Sequence, residues 1–95
     1  MITGKQRAAL RSMANTLQPI FQIGKGGIGQ NLIAQLDDAL QARELIKISV
    51  LESADVTARE ASDILCETLR AEPVQTVGRK VTIFRRNHEE PKIKL

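Results

Sequence analysis

The apolar run Ile20-Phe21-Gln22-Ile23 leads into Gly24-Lys25-Gly26-Gly27, and an amphipathic helical pattern follows from Gln30 to Arg43. The next run, Leu45 to Leu51, alternates Ile46, Ile48 and Val50 with Lys47 and Ser49, the period of a half-buried strand. Strand, glycine turn, helix and strand in this order leave few topologies. The two strands should pair in parallel through a right-handed crossover. The turn then sits at one exposed point, where backbone N–H groups and a helix N-terminus form a seat for a phosphate. Lys25 adds a positive charge there, and glycines let another backbone come close. Taken by itself, the loop is equally a plain strand-to-helix connection.

The rest of the chain extends the pattern. Thr3 and Gln6 make a capping box for a first helix, with Ala9, Leu10, Met13, Ala14 and Leu17 on one face and Pro19 as its stop. Thr57 and Glu60 make a second box for a helix that turns Ala58, Ala61, Ile64, Leu65 and Leu69 inward and ends before Glu72-Pro73. Val74 to Val77 and Lys80 to Arg86 read as strands of a hairpin about Gly78. The order is α-β-α-β-α-β-β. The expected fold is α/β, in two layers of the α+β kind, with three helices and a four-stranded mixed sheet covered mainly on one side. Both strand–helix–strand units are expected to pair in parallel. Residues 1–86 are expected to form the domain. Residues 87–95 lack periodicity and are expected to be a mobile tail.

Ninety-five residues allow one modest core, burying roughly 60–65% of the unfolded surface. No run approaches the ~18 apolar residues of a membrane span, and the N-terminus lacks the apolar core of a signal peptide. The expectation is a cytoplasmic monomer without a membrane partner. Cys66 is the only cysteine and His88 the only histidine, one in a helical pattern and the other in the polar tail. Neither a cysteine nucleophile nor a zinc site follows. No carboxylate pair, Ser-His arrangement or metal-ligand cluster suggests an enzyme or a cofactor.

Charge is segregated. Residues 1–29 hold Lys5, Arg7, Arg11 and Lys25 and no acid, and residues 79–86 hold Arg79, Lys80, Arg85 and Arg86 and no acid. Residues 30–78 set four bases against nine acids. If the two basic segments meet, they form a patch for a polyanion. If they do not, they are scattered solubilising charge.

Two motifs compete for the glycine turn. Gly24-Lys25-Gly26-Gly27-Ile28-Gly29 fits G-x-G-x-x-G, with Glu52 about 20 residues on, as a dinucleotide site asks. A full dinucleotide fold needs about six parallel strands in two halves, which this chain cannot supply. A smaller nucleotide-binding module stays open. No Gly-Lys-Ser/Thr follows, so the Walker pattern fails. G-x-x-G is the other motif, the loop with which KH-type modules clamp an RNA backbone. Phe21 and Phe84 are the only aromatic rings, too few for an RRM or OB stacking platform. Binding would then rest on phosphates and shape, and would be salt-sensitive.

Lys5-Gln6-Arg7 with Leu10-Arg11, then Leu17-Gln18-Pro19, Gln22-Ile23-Gly24-Lys25-Gly26-Gly27, Glu44-Leu45-Ile46-Lys47, Val77-Gly78-Arg79 and Phe84-Arg85, in this order, resemble the CRM domain. In its single-domain bacterial form this is the YhbY family. The resemblance spans residues 2 to 86. It implies an RNA-binding, ribosome-assembly role on precursors of the large ribosomal subunit, and a fold similar to the C-terminal domain of translation initiation factor 3. It also implies RNA contacts from Gly24 to Gly27 and from Lys5, Arg7 and Arg11. Arg79, Lys80 and Arg85 would extend the patch if the last strand lies near the loop. A protein-interaction adaptor of the ribosome is the remaining alternative. Gly29-Gln30 stands where the family often has a capping Thr, and Phe84 where it often has Tyr.

Overall fold

The computed structural model describes residues 2–95. Helix α1 (Gly4–Ala14), strand β1 (Phe21–Ile23), helix α2 (Gln30–Arg43), strand β2 (Leu45–Val50), helix α3 (Ala58–Leu69) and strands β3 (Glu72–Val77) and β4 (Lys80–Phe84) follow in that order. This is the α/β arrangement of three helices and one four-stranded mixed sheet.

Both capping boxes form. The Gln6 N–H donates to Thr3 Oγ1 at 3.1 Å while the Thr3 N–H donates to Gln6 Oε1 at 2.9 Å. Thr57 and Glu60 repeat the exchange at the start of α3. Hydrogen bonds from Thr57, its backbone N–H first, hold the Glu60 carboxyl below its ordinary pKa. α1 stops at Ala14, earlier than Pro19 suggests, because Asn15 closes the last turn onto the Arg11 and Met13 carbonyls. Leu17 therefore reaches the core from a loop rather than from a helix face.

Strand order in the sheet is β1-β2-β4-β3. β1 and β2 pair in parallel, with Phe21 opposite Ile48 and Ile23 opposite Val50. The second strand–helix–strand unit does not pair directly, contrary to expectation: β4 inserts between β2 and β3, antiparallel to both. The reason lies in the two strands' composition. In β4, Val81, Thr82, Ile83 and Phe84 are all buried, as a central strand requires. β3 carries Pro73, which has no N–H, and a register shift between Pro73 and Gln75, both suited to an edge.

Alternation assigns the two faces. Ile46, Ile48 and Val50 of β2, with Val81 and Ile83 of β4, pack beneath α2 and α3 against Leu36, Leu40, Ala61 and Leu65. On the other face α1 covers one end, where Leu10 meets Leu45, Val74 and Phe84. Phe84 is only 2% exposed, so this ring is core. Ile64, expected inward, is 41% exposed on the outer side of α3, and Ser62 is buried instead.

A single residue, Glu44, joins α2 to β2, and its φ of 66° lies in a region that side chains rarely adopt. Its side chain is fully buried. The backbone N–H of Asn87 donates to one carboxylate oxygen at 2.7 Å, and those of Lys92 and Ile93 donate to the other at 2.6 Å each. The Arg86 guanidinium lies 3.6 Å from the same carboxylate and donates to the Ile93 carbonyl. Burial works against the charge on Glu44. The three backbone donors and Arg86 outweigh it and hold the carboxyl below its usual range. Residues 87–95 form no helix or strand, yet they meet the domain through this carboxylate and through Ile93, which packs on the Leu10 cluster.

Candidate nucleic-acid interface

β1 is short, but its hydrogen bonds to β2 run past both ends, from Ile20 to the Lys47 carbonyl at 2.9 Å and from Leu51 to the Ile23 carbonyl at 2.8 Å. The chain therefore leaves the sheet at a fixed place, and Gly24–Gly27 turns there. The Gly27 N–H closes the turn onto the Gly24 carbonyl at 2.9 Å, and Gly27 has φ 73°. At Gly26 a Cβ would meet nothing, and its φ is ordinary. The fold asks for glycine at 27 and not at 26, so the bare backbone at 26 is open to a partner from outside.

Behind the turn, α2 begins at Gly29, which provides no side-chain cap, and its first turn holds no acid. The positive end of the helix dipole and its free N–H groups are left without a protein anion. α1 and α3 both have capping boxes, so α2 is the exception.

The β3–β4 hairpin comes to the same end of the sheet. Val50 N–H donates to the Arg79 carbonyl at 2.7 Å, and Lys80 pairs with Ser49. Arg79 and Lys80 thus stand at the same end of the sheet as Lys25 and the glycine turn, but Lys80 alternates with Val81 and so lies on the face opposite α2. Glu52 stands 3.4 Å from Arg79, but both side chains are more than half exposed, so this pair neutralises little. Among the described residues β1–β2 is the one parallel pair.

Arg7 and Arg11 sit elsewhere. Their Nε groups donate to the Pro73 and Val74 carbonyls at 3.1 Å each, against the outer edge of β3. They occupy acceptors that an edge strand would otherwise offer to another chain. Arg59 of α3, which sequence reasoning passed over, lines the same shallow groove of about 390 Å³ with Asp63 and Gln75. Its neighbours come from three elements, so no local pattern could have singled it out. β1 and β3 are opposite edges of a four-stranded sheet, about 14 Å apart across the strands, and Pro73 pairs with Ile83 at the end of the sheet away from the loop, so the loop and this groove are roughly 20 Å apart. Lys5 is exposed, two residues before Arg7 and therefore on a different side of α1.

Arg85 follows β4 at the end away from the loop. Its guanidinium donates to Asp37 Oδ1 at 2.7 Å, to the Asp37 carbonyl at 3.0 Å and to the Leu69 carbonyl at 3.1 Å. With its side chain 20% exposed, it clamps α2 to the end of α3. The structure therefore places Gly24, Lys25, Gly26 and Gly27 at one end of the sheet with Arg79 and Lys80 at that same end, Lys80 on the face opposite α2, sets Arg7 and Arg11 at a second place, and leaves Lys5 and Arg85 apart from both.

Cys66 is half-buried, and burial pushes its thiol up to about 11. Among the described residues no group of three or more side chains is placed to hold a metal ion, and no helix is long and apolar enough to cross a membrane.

The model of the CRS1/YhbY (CRM) domain matches residues 2–85 of this chain. The chain belongs to the CRM domain family. Relatives of this CRM protein include the "Probable RNA-binding protein YqeI" of Bacillus subtilis (strain 168), 43% identical over 95 residues, covering 100% of this chain and 99% of the relative. An "RNA-binding protein" of Haemophilus influenzae is 30% identical over 94 residues, covering 99% of this chain and 94% of its own. Among solved structures, the solution structure of the Staphylococcus aureus protein SAV1595, put forward there as an RNA binding protein, superposes with a TM-score of 0.83. It is 47% identical and covers 100% of this chain and 99% of its own. The CRM assignment thus rests on the whole domain and not on the glycine turn alone.

Proposed function

We propose that this protein binds structured RNA, and that it does so as a cytoplasmic ribosome-assembly factor acting on precursor RNA of the large ribosomal subunit. The observation that carries the reading is the loop end of the sheet: a glycine turn with Lys25 in it and an uncapped helix start, with Arg79 and Lys80 at the same end of the sheet. The relatives' names support RNA as the polyanion. The α2 N–H groups and Lys25 seat one phosphate. Among the described residues the terminal guanidinium nitrogens of Arg7 and Arg11 have no protein partner, and they hold a second one. A separation of roughly 20 Å makes these phosphates of different helical turns or of two strands, and not sequence neighbours. Folded RNA offers such pairs; an extended strand does not hold them in place. Residues 1–86 carry the contacts.

The test is binding of labelled ribosomal RNA fragments over a salt series, with duplex DNA as control. The protein has no Trp or Tyr, so the label belongs on the RNA. Log affinity should fall linearly with log salt at a slope of about −2 to −5, as three to five phosphate contacts give, with RNA bound more tightly than DNA. Absence of RNA binding at low salt would refute the proposal. Salt-resistant binding of NADH or ATP would favour a nucleotide module instead.

A further inference from the structure

A groove of about 510 Å³ runs between the outer faces of α2 and α3, and it starts at the glycine turn. Ile28, Gly29 and Gln30, the residues that lead from the turn into α2, form its mouth. Ile33 and Ala34 of α2 and the 41%-exposed Ile64 of α3 give it apolar walls. At its far end stand Asp37 and Thr68, with Asp37 held by the Arg85 guanidinium. Apolar walls with a few polar groups, in a volume of ~300–1,000 Å³, are what small planar ligands occupy.

We infer that this groove receives one unstacked base of the RNA. The inference rests on the proposed function, since the loop must hold the phosphate of that nucleotide. Continuity is the reason for choosing a base over other occupants: the segment that flanks the phosphate seat is also the mouth of the groove. A nucleotide anchored at the turn has its base at that mouth. Burial of Ile64 and Ile33 against a base removes apolar surface from water without needing an aromatic ring. The Asp37 carboxylate, held in place by Arg85, and the Thr68 hydroxyl offer acceptors and a donor for the base edge. Phosphates at the loop and at the β3 edge position the RNA, while the groove selects an RNA that has an unpaired nucleotide between them. Arg85 then acts as a positioning residue at the end of the groove and touches no phosphate.

Two variants of the full chain test this, each first checked for an unchanged thermal midpoint. Ala34→Trp fills the groove from an exposed position, and Ile64→Gln makes its wall polar. The probes are an RNA hairpin with an unpaired loop and a blunt RNA duplex with the same number of phosphates. Ala34→Trp should weaken hairpin binding about tenfold, the lower end of what accommodating one base is worth. Ile64→Gln should weaken it less. Duplex binding and the salt slope should stay as in the parent protein. No loss on the hairpin with either variant, or an equal loss on both RNAs, overturns the inference. So does a change from dimer to monomer in Ala34→Trp with RNA binding intact, which would make the groove a contact between copies. Gly26→Asp separates the two readings. If it abolishes binding while the groove variants do nothing, only the base site falls; if it leaves binding intact, the loop reading falls with it.

Discussion

The two ends of the sheet use the same chemical group in opposite ways. At the Glu44 end, three backbone N–H groups from the tail converge on one buried carboxylate, with Arg86 beside it. At the loop end, the N–H groups of the α2 start have no side-chain cap and no acid in the first turn. One cluster of donors is supplied with an anion by the protein itself; the other leaves that place to a ligand. The first is a stability element and the second a binding element. A buried carboxylate that accepts three N–H bonds is costly to remove, while an exposed donor set costs little to keep, because water satisfies it until a phosphate arrives.

Replacing Glu44 should produce the largest effect. Glu44→Ala leaves Arg86 and three amide donors without their acceptor, and should destabilise the fold by about 3 kcal/mol in thermal or urea unfolding. Amide exchange at Lys92 and Ile93 should rise to that of a mobile tail, while the folded fraction keeps its RNA affinity. The same site sets an acid limb. Because the folded carboxyl lies below its ordinary value, its contribution is fully present above the unfolded pKa of about 4.3 and is lost as the pH falls below it. In Glu44→Gln the loss of stability on acidification should be shallower. If Glu44→Ala instead weakened RNA binding and left stability intact, the contrast between the two ends would collapse.

Gly26→Asp probes the other side. The position has open space and an ordinary φ, so the fold should keep its thermal midpoint. A carboxylate placed at the phosphate seat should cost about thirtyfold in RNA affinity, read by filter binding at fixed salt. Loss of the fold, rather than of affinity, would move this loop into the structural class with Glu44.

The mildest effect belongs to the β3 edge. Arg11→Ala removes one cation from the second site, and should reduce the salt slope by about 1 and affinity by roughly fivefold to tenfold across RNA sequences. Adding Arg7→Ala should deepen the loss, with coupling between the two substitutions because the arginines stand one helical turn apart in one groove. An unchanged salt slope with a lowered midpoint would show that these side chains only cover the edge strand.

Local signals read well from the chain. Both capping boxes, the span of α2, the strand after it and the order of all seven elements follow from residues within a few positions of one another. The glycine turn and its flanking strand and helix are equally local. Apart from the early stop of α1 at Asn15, what failed involved partners distant in sequence. The placement of β4 between β2 and β3 depends on which strand can be buried on both faces, and Arg85 beside Asp37 or Arg59 beside Arg7 and Arg11 depends on that placement in turn. Ile64 fits the helical period but lies outside because Ser62 takes the buried position.

Sequence by itself determined the elements, their order, the family and the glycine turn as the candidate phosphate seat, since periodicity, caps and ordered motif blocks are encoded within short segments. Tertiary structure alone decided that the basic residues fall into two sites at opposite edges and opposite ends of the sheet, roughly 20 Å apart, that Arg85 is a clamp, and that a carboxylate at a helix end draws the tail onto the domain. Each of those depends on the strand order and on burial, which no segment carries within itself.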